Sequence, residues 1–332
     1  MKRRKFIQQG SRAGVALSLL GVAACKNKEK TEADAEMPEE MTSAAPFFEL
    51  SLAQWSIHRM IREDGLDPYA FAEKAAAWGF KGLEYVSQLY RGQMEAAENE
   101  QVGMEDFVAR SNAEAAQYGL VNVLIMIDGE GPLAHPDETE RNNAIANHIK
   151  WVDAAAAMGC HAVRVNLSGN DNEESWIESS IAGLQGLCTY AAEKNINVLV
   201  ENHGGFSSNG ALLAQVMQGV AMDNCGTLPD FGNFCIRRND PSDWSSGCAE
   251  AYDIYKGVEE LMPFAKAVSA KSHDFDAQGN ETEIDYVRML QIVKDAGYSG
   301  YIGVEYEGSE LGEEAGILAT RDLLLAAAAS VS

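Results

Sequence analysis

The sequence predicts an α/β chain folded as one (β/α)8 barrel, and three observations carry that reading. Eight short runs of apolar and β-branched residues recur between residues 49 and 306. Alanine-rich amphipathic stretches lie between them. The span from residue 48 to 330, about 280 residues, suits one large barrel and shows no shorter repeat or second domain.

Taken in order, the strand candidates are ELSLAQW (49–55), KGLEYV (81–86), LVNVLIMID (120–128), HAVRVN (161–166), INVLVEN (196–202), CGTLPD (225–230), AKAVSAKSH (265–273) and GYIGVEY (300–306). An unbroken apolar run such as Val198 to Val200 reads as a strand buried on both faces, the mark of a parallel sheet. DPYAFAEKAAAW (67–78) and ETERNNAIANHIKWVDAAAAM (138–158) read as connecting helices. Gly204 and Gly205, and Pro241 and Ser242, mark loops.

The segment before the barrel reads as an address and a leash. Lys2, Arg3, Arg4 and Lys5 precede a twelve-residue apolar run, AGVALSLLGVAA (13–24), which is too short to span a bilayer. RRKFIQ (3–8) resembles a twin-arginine export pattern, and GVAAC (21–25) a lipobox that would leave Cys25 lipidated. Residues 1–25 are therefore expected to be a signal peptide, 26–46 a flexible linker, and 47–332 the barrel. The expected product is exported and membrane-anchored, periplasmic or at the cell surface, touching the membrane only through its lipid.

Without the five basic residues of the first 25, 21 basic residues face 50 acidic ones, a net charge of −29. So acidic a domain repels phosphate backbones, which argues against nucleic acid as a partner. The five cysteines after Cys25 are odd in number and lack CxxC spacing, so they are expected to be buried thiols.

In such barrels the active site forms at the carboxyl ends of the strands. Four successive strand ends carry a metal-ligating residue: Glu201, Asp230, His273 and Glu305. Three carboxylates with one imidazole suit Mn²⁺, Mg²⁺ or Co²⁺ and could hold Zn²⁺. A metal that chelates a carbonyl and its neighbouring hydroxyl acidifies the proton on the carbon between them, by stabilising the enediolate. One carboxylate can remove that proton and a second return it.

LAQWSIHR (52–59), WGFKGLEYV (78–86), MIDGEGPLAHPDETER (126–141), AMGCHAVRVN (157–166), VLVENHGG (198–205), SAKSHDFD (269–276) and YIGVEYEG (301–308) resemble the xylose isomerase-like TIM barrels of the sugar phosphate isomerase/epimerase family. The resemblance runs from about residue 49 to 329. It implies one divalent metal on Glu201, Asp230, His273 and Glu305, with Glu201 and Glu305 as an acid/base pair on either face of a sugar. The sequence departs from the pattern at Asn233, where many sugar epimerases of the family carry a substrate-binding histidine. An amide can hold a hydroxyl but does not titrate near neutrality.

Substrate contacts are expected from His203, Arg164, Lys271, Glu84, Asn233, Trp55 and His58. His203 and Lys271 share a strand face with Glu201 and His273, and Arg164 faces the barrel interior or the helix layer, where the cost of burying a charge under the helices favours the mouth. Glu84 ends the second strand, and Trp55 and His58 follow the first. Loop capping for His203, an ion pair for Lys271 and core packing for Trp55 and His58 stand as rival readings. His135, His148 and His161 are expected to be structural.

The loop after the eighth strand, EGSELGEEAG (307–316), carries Glu307, Glu310, Glu313 and Glu314 and no cation, which disfavours a phosphorylated substrate. The expected function is metal-dependent isomerisation or epimerisation of an unphosphorylated sugar or keto-sugar. The alternative is dehydration or elimination on an inosose or keto-glycoside by the same groups. A sugar-binding lipoprotein without turnover is disfavoured by the complete ligand set. A nuclease of the same barrel type is disfavoured by six histidines in all and by the charge.

Overall fold

The computed structural model describes residues 45–331 except 241, 244 and 245. The expected signal peptide with Cys25, and all of the linker but its last two residues, lie outside the described residues. The described strands are β1 (Glu49–Ala53), β2 (Gly82–Val86), β3 (Val121–Met126), β4 (Ala162–Val165), β5 (Asn197–Glu201), β6 (Cys225–Leu228), β7 (Cys235–Arg238), β8 (Cys248–Ala251), β9 (Val268–Ser272) and β10 (Tyr301–Tyr306). The α-helices are α1 (His58–Arg62), α2 (Phe71–Ala77), α3 (Arg91–Ala96), α4 (Glu100–Tyr118), α5 (Glu138–Met158), α6 (Glu173–Glu193), α7 (Gly210–Val220), α8 (Ile254–Leu261), α9 (Tyr286–Asp295) and α10 (Glu313–Ala328). Among the described residues no helix is long and apolar enough to cross a membrane.

Eight strands pair in parallel in the order β6-β5-β4-β3-β2-β1-β10-β9. Single parallel bridges from Thr227 to Ala265 and from Asp230 to Ser269 then join the two edge strands. The curled sheet thereby closes as the predicted (β/α)8 barrel. β6 stops at Leu228, so Asp230 reaches its neighbour through one bridge and not through a continuous ladder.

The apolar strand residues are buried because period-two alternation points them under the helices. Leu52, Leu83, Val163, Val198 and Val304 are fully buried, in one core with Phe107, Leu184, Val216, Leu290 and Leu324 of the helices. Each such side chain contributes about 1.5–3 kcal/mol. Helix starts are set by short polar side chains. Asn99, Asp137, Asn172, Asn209, Asp253 and Asp285 each accept a backbone N–H in the first turn of the helix they precede. A cap of this kind is worth about 1 kcal/mol. Helix α5 covers the predicted 138–158, ending on Gly159 at φ 73°, a left-handed turn that suits glycine.

The antiparallel pair β7–β8 was not expected from the sequence. It is inserted between Asp230 and α8, where the chain carries no apolar alternation. Its strands are joined by a disulfide between Cys235 and Cys248, Cα atoms 5.7 Å apart. This corrects the expectation of thiols throughout: Cys160, Cys188 and Cys225 are free, but Cys235 and Cys248 are paired. Sequence spacing hid the pair, because only the hairpin brings two cysteines 13 positions apart into register. Thiol titration of a denatured, unreduced chain beginning at residue 47 should therefore count three thiols, and five after reduction. Five before reduction would disprove the disulfide.

Candidate active site

Strand register carries three acids to one point. β5 ends on Glu201, Asp230 follows β6, and Glu305 lies near the end of β10. Ligand oxygens of Glu201, Asp230 and Glu305 lie within 4.8 Å of one another, and all three residues are buried. Carboxylates taken out of water need partners. Arg164 Nη1 lies 2.8 Å from Asp128 Oδ1, and its Nε lies 2.8 Å from Glu201 Oε2. The second contact is an ion pair not aligned as a hydrogen bond. Lys271 Nζ lies 2.9 Å from Glu305 Oε2 and 3.1 Å from Glu307 Oε2. The Ser269 hydroxyl donates to Asp230 Oδ2 at 2.6 Å and lies 3.2 Å from Glu305.

Five carboxylates thus surround two cations, a formal charge of −3, and the acids register the deficit. Burial, opposed by Arg164 and reinforced by Glu305, pushes Glu201 up to about 7. Burial, opposed by Lys271 and reinforced by Glu201 and Glu305, pushes Asp230 up to about 7. At the rim the cations win. Burial works against ionisation of Asp128 and Glu307, yet Arg164 lowers Asp128 and Lys271 holds Glu307 down at about 2. A divalent cation at the meeting point of Glu201, Asp230 and Glu305 would relieve this repulsion, so the residues present fit a metal of hard or borderline character.

The structure revises several sequence expectations. His273 does not join the three carboxylates at ligand distance. β9 ends at Ser272, and the His273 backbone N–H is drawn to Glu281 at 3.3 Å. Its ring lies over Gly232, two residues from Asp230, and its Nδ1 is buried without a hydrogen-bond partner. Glu84 is not at the mouth. β2 continues to Val86, leaving Glu84 mid-strand and fully buried, where the Ser51 hydroxyl donates to it at 2.5 Å. Its carboxylate fills space beside Gly303 that any side chain there would need.

Asn233 sits at the site, but its Nδ2 donates to Glu201 Oε1 at 3.0 Å, so it holds the glutamate. Arg164 and Lys271 are likewise committed to carboxylates. His203 is half-buried at the mouth; burial first, then the Arg164 and Lys271 charges, keep it below its ordinary value and neutral. Trp55 and His58 form a stack of their own, ring centroids 4.4 Å apart. Arg62 covers the indole, and His58 Nδ1 donates to the Trp55 carbonyl at 2.6 Å beside Glu313.

The sequence reading missed Asp128 and Glu307. Asp128 closes the run LVNVLIMID (120–128), a strand-end carboxylate like Glu201, Asp230 and Glu305. Glu307 lies two residues after Glu305, where alternation returns it to the same face. Asn166 Nδ2 donates to Asp128 Oδ1 at 2.8 Å, tying β4 to this network.

Comparison with known proteins identifies the family and the fold. The model of the xylose isomerase-like TIM barrel family matches residues 72–327, and the chain belongs to that family. No curated protein matches it. Among solved structures it is similar to 3-keto-D-glucoside 4-epimerase, YcjR, from E. coli, at 13% identity and TM-score 0.59, covering 83% of this chain and 98% of that one. The IOLI protein with a bound zinc atom matches at 14% and 0.62, covering 86% and 99%. The probable 3-DHS dehydratase AsbF from Bacillus anthracis matches at 14% and 0.58, covering 83% and 98%. At such identities these likenesses establish the fold alone.

Two outcomes are expected. Elemental analysis of the purified chain should find about one equivalent of divalent metal per chain, lost in Asp230→Asn; retention in that variant would remove Asp230 as a ligand, and His273→Ala reports whether the imidazole is a fourth. Stability should also fall as pH rises because of Glu84. Burial raises its carboxyl from 4.5 to about 8, with Glu305 and Glu201 adding to the shift and Ser51 and Arg164 opposing it. Between those values the folded chain holds a proton that the unfolded chain releases, so the penalty is absent below the window and complete above it. Glu84→Gln should raise the melting temperature at pH 9 relative to pH 5, worth on the order of a few kcal/mol. Parallel pH curves for both proteins would refute it.

Proposed function

We propose that this member of the xylose isomerase-like TIM barrel family is a divalent-metal-dependent isomerase or epimerase of an unphosphorylated sugar or keto-sugar. The convergence of Glu201, Asp230 and Glu305, with the two glutamates held by separate partners, carries the reading. Glu201, Asp230 and Glu305 would hold the metal. A metal there supplies stabilisation of the negative charge that builds on the substrate oxygens as a neighbouring C–H proton leaves.

The rest is work for the side chains. Asn233 and Arg164 take one oxygen each of Glu201, and Lys271 and Ser269 hold Glu305, so neither carboxylate rotates freely. Positioned in this way, one glutamate accepts the proton and the other returns one. Each such group typically contributes about 10²–10⁴-fold. Neutral His203 and Asn166 lie where hydroxyls of the sugar would be bound.

Two features support a substrate without phosphate. Glu307 stays ionised beside the site. Arg59, which reaches the loop after β10, is spent on the Gly308 carbonyl at 3.0 Å and on Glu313 at 3.5 Å. Export as a lipoprotein through Cys25 is part of the proposal, and the Cys235–Cys248 disulfide supports it, since such bonds persist in oxidising compartments. Elimination on an inosose or keto-glycoside is the second reading. It is favoured by Asn233, whose amide is tied to Glu201 and offers no titrating group of its own.

Glu201→Gln and Glu305→Gln should each lower turnover by at least about 10²-fold while metal content is unchanged. Full activity in either variant would overturn the acid/base assignment. In ²H₂O, product recovered from an isomerase should carry deuterium at a sugar carbon, whereas loss of water or of an aglycone would identify elimination.

A further inference from the structure

Beside the carboxylate cluster lies a cleft of about 840 Å³, of which the chemistry above uses only Asn166 and His203. Three loops build it: residues 166–171 after β4, residues 203–209 after β5, and the β7–β8 hairpin after Asp230. Asn166 and His203 stand at its inner end. Through them the cleft meets the reacting groups, because Asn166 holds Asp128 and His203 follows Glu201 by two residues. Glu201, Asp230 and Glu305 do not line it. A single sugar ring lying on the carboxylates would therefore reach only Asn166 and His203 and leave the rest of the cleft empty.

We infer that this cleft is a subsite for a second, neutral sugar ring, so that the substrate is a glycoside rather than a free monosaccharide. The inference rests on reading the carboxylate cluster as the reacting site. Its volume lies near the upper end of the range for small-molecule pockets, about 300–1,000 Å³. Phe206, Leu212 and Ile236 give it an apolar side, while Asn170, Asp171 and Glu250 give it hydrogen-bonding groups. That division suits a ring with C–H faces and hydroxyl edges. The lining gives no net attraction for an anionic group, because Asp171, Glu173 and Glu250 stand against Arg237 and Arg238, and Arg237 is paired with Glu250 at 3.5 Å.

The outer wall is a built feature. The disulfide joins the two strands of the hairpin, and the Tyr252 backbone N–H donates to the Phe234 carbonyl at its root at 2.8 Å. Asn233, next to that root, is the residue that holds Glu201. The wall is thus fixed in register with the reacting glutamate. Ile236 is half-buried on the hairpin, and Phe206 packs against Trp176 with ring centroids 5.6 Å apart. Both present carbon to the cleft and neither belongs to the catalytic machinery.

The test is calorimetric titration of the full chain, loaded with Mn²⁺, against neutral hexose disaccharides covering the common glycosidic linkages. Each disaccharide is matched with its methyl glycoside and its phenyl glycoside. At least one disaccharide should bind about tenfold or more tighter than its methyl glycoside, a difference of about 1.4 kcal/mol. Ile236→Ala and Phe206→Ala should remove most of that preference and leave methyl glycoside affinity unchanged. Reduction of Cys235–Cys248 should act in the same direction. Methyl glycosides binding as tightly as every disaccharide, a preference that survives both variants, or no binding by any sugar would overturn the subsite. Tighter binding of phenyl glycosides would assign the cleft to an aromatic aglycone instead. Glu201→Gln separates the two readings. A cleft-dependent preference that persists in that variant without loss of turnover upholds the subsite and defeats the acid/base assignment.

Discussion

Everything at the mouth of this barrel is arranged around two cations that have almost no contact with water. Arg164 and Lys271 are each bracketed by two carboxylates, one deep and one nearer the rim. A buried charge is tolerated only when its partners replace the lost hydration. Here the replacement is incomplete by design of the sequence, because the acids outnumber the bases and Asp230 has only a serine hydroxyl and backbone amides. The same excess that raises Glu201 and Asp230 creates the demand for a further positive charge. In this fold, stability of the bare site and affinity for a metal pull in opposite directions.

The barrel is what makes such a concentration of charge possible. Parallel strands fix neighbouring side chains by register: Glu305 stands beside Lys271, and Arg164 lies one strand from Glu201. Backbone hydrogen bonds and the apolar layer beneath the helices supply the free energy that the charged mouth gives up. Glu84 marks the lower boundary of the polar zone. It is buried with one carboxylate oxygen lacking a hydrogen-bond partner, and only the missing side chain at Gly303 leaves it room.

Most barrel strands were legible because each is a short, largely apolar run between helical stretches, a pattern that depends on local sequence alone. Glu201 and Glu305 were legible for the same reason, since a polar residue ending such a run stands out. Glu84 was misplaced because β2 continues through Tyr85 and Val86, and the sequence alone does not show where a strand rises above the barrel rim. His273 was placed by its position at the end of the run AKAVSAKSH and by resemblance, and the turn toward Glu281 that decides its position depends on a contact across eight residues of loop. The disulfide was illegible because the hairpin that creates it has two short strands, one exposed throughout and neither with a fully buried residue. Alternation signals burial, and an exposed hairpin provides none.

The loop that leaves Asp230 shows how one short sequence can serve chemistry and recognition together. In DFGN, Asp230 Oδ1 accepts the N–H groups of Gly232 and Asn233 at 2.9 and 2.8 Å, so the turn satisfies itself and points the other oxygen at the cluster. Gly232 is required by space: a Cβ there would lie 2.9 Å from the Lys271 side chain. Asn233 then spends its amide on Glu201 and its carbonyl on Asn202 and Ser208, which leaves the chain no freedom before it enters β7. A histidine at that position could titrate, whereas the Asn233 amide donates to Glu201 without a proton to lose near neutrality. The exchange gives up a proton-carrying group and gains a rigid joint between the reacting glutamate and the hairpin wall. Under the proposed function, a site that aligns a glutamate with one ring while holding a second at a distance gains more from the joint than from the proton.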